Sequence, residues 1–388
     1  MNVARLRRYL LPPVLGFSYI FAFRGVLAYL PPYLRDGGMS EAAIGLLMGV
    51  FPIAPVLVLV PFGMLGDRFE PRRLVTLGLV VVALGLFVSG QVESFFLLLL
   101  LFFLIGVGGS LFLVNNRATY YKTLGDSTRA TKLGWYQGVT GLGFGVGPLA
   151  AAWVIEAEWL GSPMYVGVAF ILPFVFLSLL GERVPGARIS LPEYTSDLRR
   201  PGVLVLAVVV FLFSFHFGVE RTSFTLFLKD VLGQDTGQIG LTYLYISLVL
   251  APVMMVTGVV SDRLHRPLEV GLLALLFSCI GNAAMPWIGS LGWLLAARFV
   301  HVVGDGAFIV FQSVIIANLF HRRRLGGNVG LFATIGNVGS SIGAFASGLI
   351  PGNAYPFLVA GVLAFVGAAV FLVFGRPLWE APPDPEAA

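Results

Sequence analysis

Charged side chains are scarce here, 12% of 388 residues beside a hydrophobic content of 57%. A water-facing globular surface carries about twice that charge, so most of this chain has no water to face. Cysteine is absent except for Cys279, which excludes a secreted scaffold held together by disulfides. Segments of strict apolar–polar alternation are missing, and with them the signature of a membrane β-barrel. Runs such as Phe95 to Phe103 are apolar on every face. The basic surplus, 25 Lys and Arg over 20 Asp and Glu, is scattered singly and in threes, which argues against a nucleic-acid interface. There is no Walker A loop and no H-E-x-x-H, so neither ATP hydrolysis nor zinc-protease chemistry is read into the chain. No cofactor or resident metal is expected, and the chain does not read as an enzyme.

Long apolar runs are what the chain does have. Cut at its charged and Gly/Pro-rich breaks, it yields twelve runs of roughly 20 residues, the length that crosses a bilayer as a helix: 9–31, 40–65, 73–91, 95–118, 133–156, 163–182, 202–228, 238–260, 268–288, 292–317, 328–350 and 354–375. Arg5, Arg7 and Arg8 before the first run mimic a signal peptide. The run is long, contains Arg24 and leads into further spans, so it is read as an uncleaved first helix. With a cytoplasmic N-terminus, twenty of the 25 basic residues fall in inside segments, while Arg35 and Lys229 alone fall outside. One helix more or fewer would invert every later loop. The positive-inside rule therefore predicts a multi-pass protein of the cytoplasmic (inner) membrane with both termini inside.

The chain also repeats itself. Gly63-Met-Leu-Gly-Asp67-Arg68-Phe-Glu70-Pro-Arg72-Arg73 after the second run is echoed by Gly258-Val-Val-Ser-Asp262-Arg263 after the eighth, half the chain later. Tyr33-Leu-Arg-Asp36 pairs with Phe227-Leu-Lys-Asp230, and Gly143 to Gly147 with Gly339 to Gly343. Internal repeats in a polytopic protein point to two bundles that rock about a shared site. The expected division is a six-helix bundle over 1–182, a cytoplasmic linker over 183–201, a second bundle over 202–375 and a cytoplasmic tail over 376–388. Gly339-Ser-Ser341-Ile-Gly343 formally fits the hydrolase G-x-S-x-G elbow, which requires a strand–turn–helix. Lying mid-helix, it reads as a packing surface.

The Gly63 to Arg73 stretch resembles the loop signature of the major facilitator superfamily, with Glu70 where that family usually has Gly. The resemblance extends over the whole chain. It implies an all-α integral membrane protein with twelve transmembrane helices in two six-helix pseudo-repeat bundles around a central cavity, working as a secondary transporter. It also implies that Gly63, Asp67, Arg68, Asp262 and Arg263 form gate loops, Asp67 and Arg68 stabilising the outward-open state. Asp67 is suited to accept from backbone N–H groups at the start of a facing helix. Gly143-Phe-Gly-Val-Gly147-Pro148 resembles the span-five motif of the superfamily's drug/proton antiporters, although the glycine pair that continues that motif is Ala151-Ala152 here.

Ionisable groups inside a span are functional candidates by default. They are Arg24 in span one, Glu220 and Arg221 in span seven, and Arg298 and Asp305 in span ten, joined by His216 and His301. By resemblance, spans one, four, seven and ten line the cavity. His216 and Glu220 share a helix face by their i, i+4 spacing, as do Arg298, His301 and Asp305. Glu220 with His216, or Asp305 with His301, could take up and release a proton. Arg24, Arg221 and Arg298 could hold an anionic substrate by forked hydrogen bonds. Asn115 and Asn116 at the inner end of span four read either as substrate contacts or as caps. Arg24–Glu220 and Arg298–Asp305 could equally be structural ion pairs. The expectation is a monomeric secondary active transporter for a small organic solute, anionic in one version and driven by protons in symport or antiport. A proton-driven drug or lipid exporter is the alternative.

Overall fold

The computed structural model describes residues 7–125, 128–156, 159–186, 191–264 and 267–380. Arg5, Arg188, Arg266 and the end of the tail, 381–388, lie outside them. Twelve apolar helices follow one another: α1 Leu11–Asp36, α2 Glu41–Arg68, α3 Pro71–Ser89, α4 Phe95–Thr123, α5 Arg129–Glu156, α6 Pro163–Ser178, α7 Pro201–Val219, α8 Thr236–Leu264, α9 Pro267–Ala283, α10 Leu291–Leu319, α11 Leu325–Leu349 and α12 Tyr355–Phe374. A short linker helix, Leu191–Leu198, precedes α7. Among the described residues no strand occurs and eleven helices are long and apolar enough to span a membrane.

The twelfth, α6, has 16 residues, about 24 Å at 1.5 Å per residue. The N–H groups of Leu179, Leu180 and Gly181 then bond three residues back. This tighter winding adds about 6 Å, bringing the element to roughly the 30 Å of a hydrocarbon core. Other helices run past the apolar segments that announced them. α4 continues through Arg117 and Lys122 to Thr123, and α5 already begins at Arg129. Lys and Arg end a hydropathy run but are good helix formers. On α12 the exposed side chains Val359, Val362, Val366, Ala369 and Val373 recur every three to four residues, as do Leu273, Phe277 and Ile280 on α9, the pattern of a lipid-facing stripe.

Within the first half α3 packs on α4, α2 on α4, α1 on α6 and α3 on α6; in the second, α9 packs on α10, α8 on α10, α7 on α12 and α9 on α12. These are the same four pairings displaced by six helices, as the sequence repeat requires. Gly143 and Gly147 lie against the backbone of Phe17 and Phe21 on α1, and Gly339 and Gly343 against that of Phe211 and Phe215 on α7. A Cβ at any of the four would strike the neighbouring helix, so the G-x-S-x-G look-alike sits mid-helix on a close packing seam.

By contacts the chain forms two compact units, one of Met1–Thr123, Val139–Ile189 and Arg323–Leu331, the other of Leu124–Gly138, Ser190–Arg322 and Phe332–Ala388. The first turns of α5 and α11 thus group with the unit on which they pack. The core of the first unit is built on Leu15, Tyr19, Ala22, Val26 and Leu30 of α1 with Leu79, Val82 and Leu86 of α3, Phe102, Ile105 and Phe112 of α4 and Ile171 of α6. Phe215, Val219, Phe224, Phe227, Met285, Leu294 and Phe357 hold a core in the second.

Candidate functional site

In the first unit, Asp67 at the end of α2 is 1% exposed. Its Oδ1 accepts from the N–H of Gly326 and its Oδ2 from that of Gly327, each at 2.8 Å, and Lys122 Nζ lies 2.6 Å from Oδ1. Gly326 and Gly327 open α11, so the carboxylate caps unsatisfied N–H groups at the positive end of a helix dipole. Gly63, one turn back, touches the Gly326 backbone where any side chain would collide. Arg68 extends over the Phe69 ring. Glu70 sits 3.4 Å from Arg72 and 3.1 Å from Arg73 and gathers the basic loop. Close to the same end of the unit, Arg8 forks onto Glu182 at 3.0 and 2.6 Å. These hydrogen bonds hold the Arg8 guanidinium protonated above its ordinary range.

The second unit repeats the arrangement. Asp262 at the end of α8 accepts from the N–H groups of Ala130 and Thr131 at 3.1 and 2.8 Å and from the Thr131 hydroxyl at 2.6 Å. Those residues are in the first turn of α5. Arg263, next in the chain, is exposed.

Asn115 and Asn116 are buried. Asn115 donates to the carbonyls of Phe62 on α2 and Leu111 on its own helix, at 3.2 and 2.8 Å, and Asn116 donates to Pro12 on α1 at 2.8 Å. Their amide N–H groups hold α4 to its neighbours. Arg24 lies with its guanidinium 4.4 Å from the Phe144 ring centre, a cation–π contact.

The densest polar cluster is on α7 and α10 of the second unit. His216 (α7) lies with Nε2 3.0 Å from Asp305 Oδ2. His301 (α10) lies with Nε2 3.1 Å from the same oxygen and 3.0 Å from Glu220 Oε1. Arg298 donates to Glu220 Oε1. Its guanidinium lies 4.1 Å from the Phe224 ring centre and 5.0 Å from that of Phe357. Ser278 of α9 donates to Asp305 Oδ1 at 2.8 Å. The pairings expected from helix spacing are thus partly exchanged. His216 meets Asp305 rather than Glu220, and Arg298 pairs with Glu220 rather than Asp305. The reason is that long side chains of α7 and α10 reach one another, Phe213 against Phe308 with ring centres 4.2 Å apart and His216 against Asp305, so that a partner comes from the facing helix as readily as from the next turn of the same one. Glu220 Oε1 is therefore held between Arg298 and His301 of its own unit. Glu220 also starts a stretch in which α7 widens into π turns, Glu220–Phe224 and Phe227–Val231, a distortion frequent at functional sites. Arg221, next to it, is exposed.

Ser278, Phe224, Phe357 and Met285, whose sulfur accepts from Arg298 at 3.6 Å, complete the cluster and were not singled out in the sequence. A small polar residue in an apolar run carries little hydropathy signal. The Ser278 and Asn282 spacing of four on α9, flanking Gly281, could have marked a polar face.

The Major Facilitator Superfamily model matches residues 14–288 and 221–388. The chain belongs to that superfamily. It is a transporter by family rather than an enzyme, a multi-pass membrane protein that moves small molecules. It is 26% identical over 329 residues to the agnestins efflux protein AgnL12 of Paecilomyces divaricatus, covering 81% of this chain and 73% of that one. It is 23% identical over 387 residues to multidrug resistance protein 2 of Bacillus subtilis, covering 93% and 94%. The fold matches the human organic anion transporter MFSD10 (TETRAN) with a TM-score of 0.73 at 19% identity, over 96% of this chain and 99% of that one.

Proposed function

We propose that this facilitator-superfamily chain is a proton-driven secondary active transporter of a small organic solute, working by alternating access as a monomer in the cytoplasmic membrane with both termini inside. One observation carries the coupling. His301 Nε2 stands between two carboxylates, Glu220 and Asp305, at 3.0 and 3.1 Å, and His216 extends the hydrogen-bonded chain to α7. A driving cation handed along this chain would join two helices that must move. The 20 to 2 partition of basic residues supports the orientation. Arg24 and Arg221 are the proposed substrate contacts. Arg298, buried on Glu220, and Asn115 and Asn116, engaged by helix carbonyls, would act on substrate through the groups they hold.

A second reading, export of drugs or lipids, is favoured by the likeness to an agnestins efflux protein and to a multidrug resistance protein and by the Gly143 to Pro148 stretch. Flux into proteoliposomes under an imposed pH gradient, with organic anions, sugars and cationic dyes, tests both. Gradient-dependent flux of the dyes alone selects the exporter, and flux of no compound responding to the gradient overturns proton drive.

A further inference from the structure

We propose that His216, Glu220, His301 and Asp305 form a binding site for a divalent transition-metal ion of the zinc class. The inference goes beyond the transport reading and stands on geometry alone. One ligand atom from each of the four residues lies within 4.8 Å of every other, with nearest separations of 3.0–3.1 Å. Tetrahedral ligands bonded at 2.0–2.1 Å stand about 3.3 Å apart, so an ion enters with adjustments of a few tenths of an ångström on the short edges and contraction of the longer ones.

The orientation of the rings is the second argument. His216 Nδ1 faces the Phe213 carbonyl, and His301 Nδ1 faces the Ser278 carbonyl at 3.2 Å. A carbonyl only accepts, so Nδ1 carries the hydrogen in both. Nε2 of each ring is then the nitrogen turned toward the carboxylate oxygens, the position an ion would take with loss of any proton held there. Backbone-anchored Nδ1–H with Nε2 free to ligate is how metal-binding histidines are held. Ser278 on Asp305 and Arg298 on Glu220 supply the outer shell. Two imidazoles and two carboxylates suit zinc, cobalt or nickel better than magnesium or calcium. An ion there would tie α7 to α10.

Zinc titrated by calorimetry into the purified full chain, stripped of metal and reconstituted without any gradient, tests the site. One ion per chain is expected. His301→Gln should weaken binding by at least about 100-fold, Ser278→Ala by the roughly 10–100-fold of an outer-shell partner, and His321→Gln, outside the cluster, should leave it unchanged. Zinc X-ray absorption of the wild-type chain needs no variant and should show two imidazole nitrogens and two oxygens. No saturable binding, affinity unmoved by His301→Gln in a folded variant, or a first shell without two imidazoles overturns the proposal. A chain that binds zinc but shows no gradient-dependent flux upholds this inference and refutes proton drive; the opposite pair of results does the reverse.

Discussion

His301 Nε2 and Asp305 Oδ2 lie 3.1 Å apart on successive turns of α10, with Asp305 in the middle of a helix of 29 residues. A buried imidazole and carboxylate at mid-span form an arrangement that hydrocarbon tolerates only when it is fully partnered. Here the partners are His216, Glu220 and Ser278. The consequences begin with the ion pair next to it.

Arg298 and Glu220 form one unit of charge. Arg298→Ala leaves Glu220 without its guanidinium and should lower stability by about 3–5 kcal/mol, the usual result of breaking a buried pair. Combined with Glu220→Gln, the loss should fall short of the sum by roughly 0.5–3 kcal/mol. Thermal unfolding of the four forms in detergent measures the coupling, and strict additivity would mean that the two side chains do not interact.

The two loop aspartates should differ. Asp67→Asn takes an acceptor oxygen from the N–H groups of Gly326 and Gly327 and leaves Lys122 buried beside a neutral group, so a loss of about 3–5 kcal/mol is expected. Among the described residues Asp262 accepts from backbone N–H groups and the Thr131 hydroxyl, and Asp262→Asn should lose about 1.5–3 kcal/mol. Unfolding midpoints of the two variants, compared side by side, check the order.

Gly63→Ala puts a methyl group into the Gly326 carbonyl and should destabilise by about 1–3 kcal/mol through overpacking. Gly240→Ala, with open space around its Cβ position, should be neutral or gain up to about 1 kcal/mol from helix propensity. The same melting assay separates close packing from a general intolerance of alanine.

Asn116→Ala removes the bond to Pro12. A stability loss of about 0.5–1.5 kcal/mol, with the ranking of transported compounds unchanged, is expected of a group that ties α4 to α1. Measuring flux for a panel of solutes decides, since a changed ranking would make Asn116 a direct substrate contact.

Much of the fold is legible in the sequence because bilayer thickness sets the length of an apolar run. Less visible were the helix ends, since Arg117, Lys122 and Arg129 break the hydropathy pattern without breaking the backbone. The π turns after Val219 leave no compositional mark. Within the site, each ionisable member was conspicuous as a charge in lipid, but its partner was not. Spacing along one helix pairs His216 with Glu220, whereas the meeting of side chains from α7 and α10 decides for Asp305. Ser278 stayed hidden because one hydroxyl scarcely alters an apolar average.

The central claim is that solute movement is driven through the α7–α10 cluster. The most direct measurement compares wild-type, Asp305→Asn and Glu220→Gln chains in proteoliposomes, each assayed for flux under a pH gradient and for solute exchange without one. The account predicts that at least one variant loses gradient-driven flux while exchange persists. Full gradient-driven flux in both would contradict it.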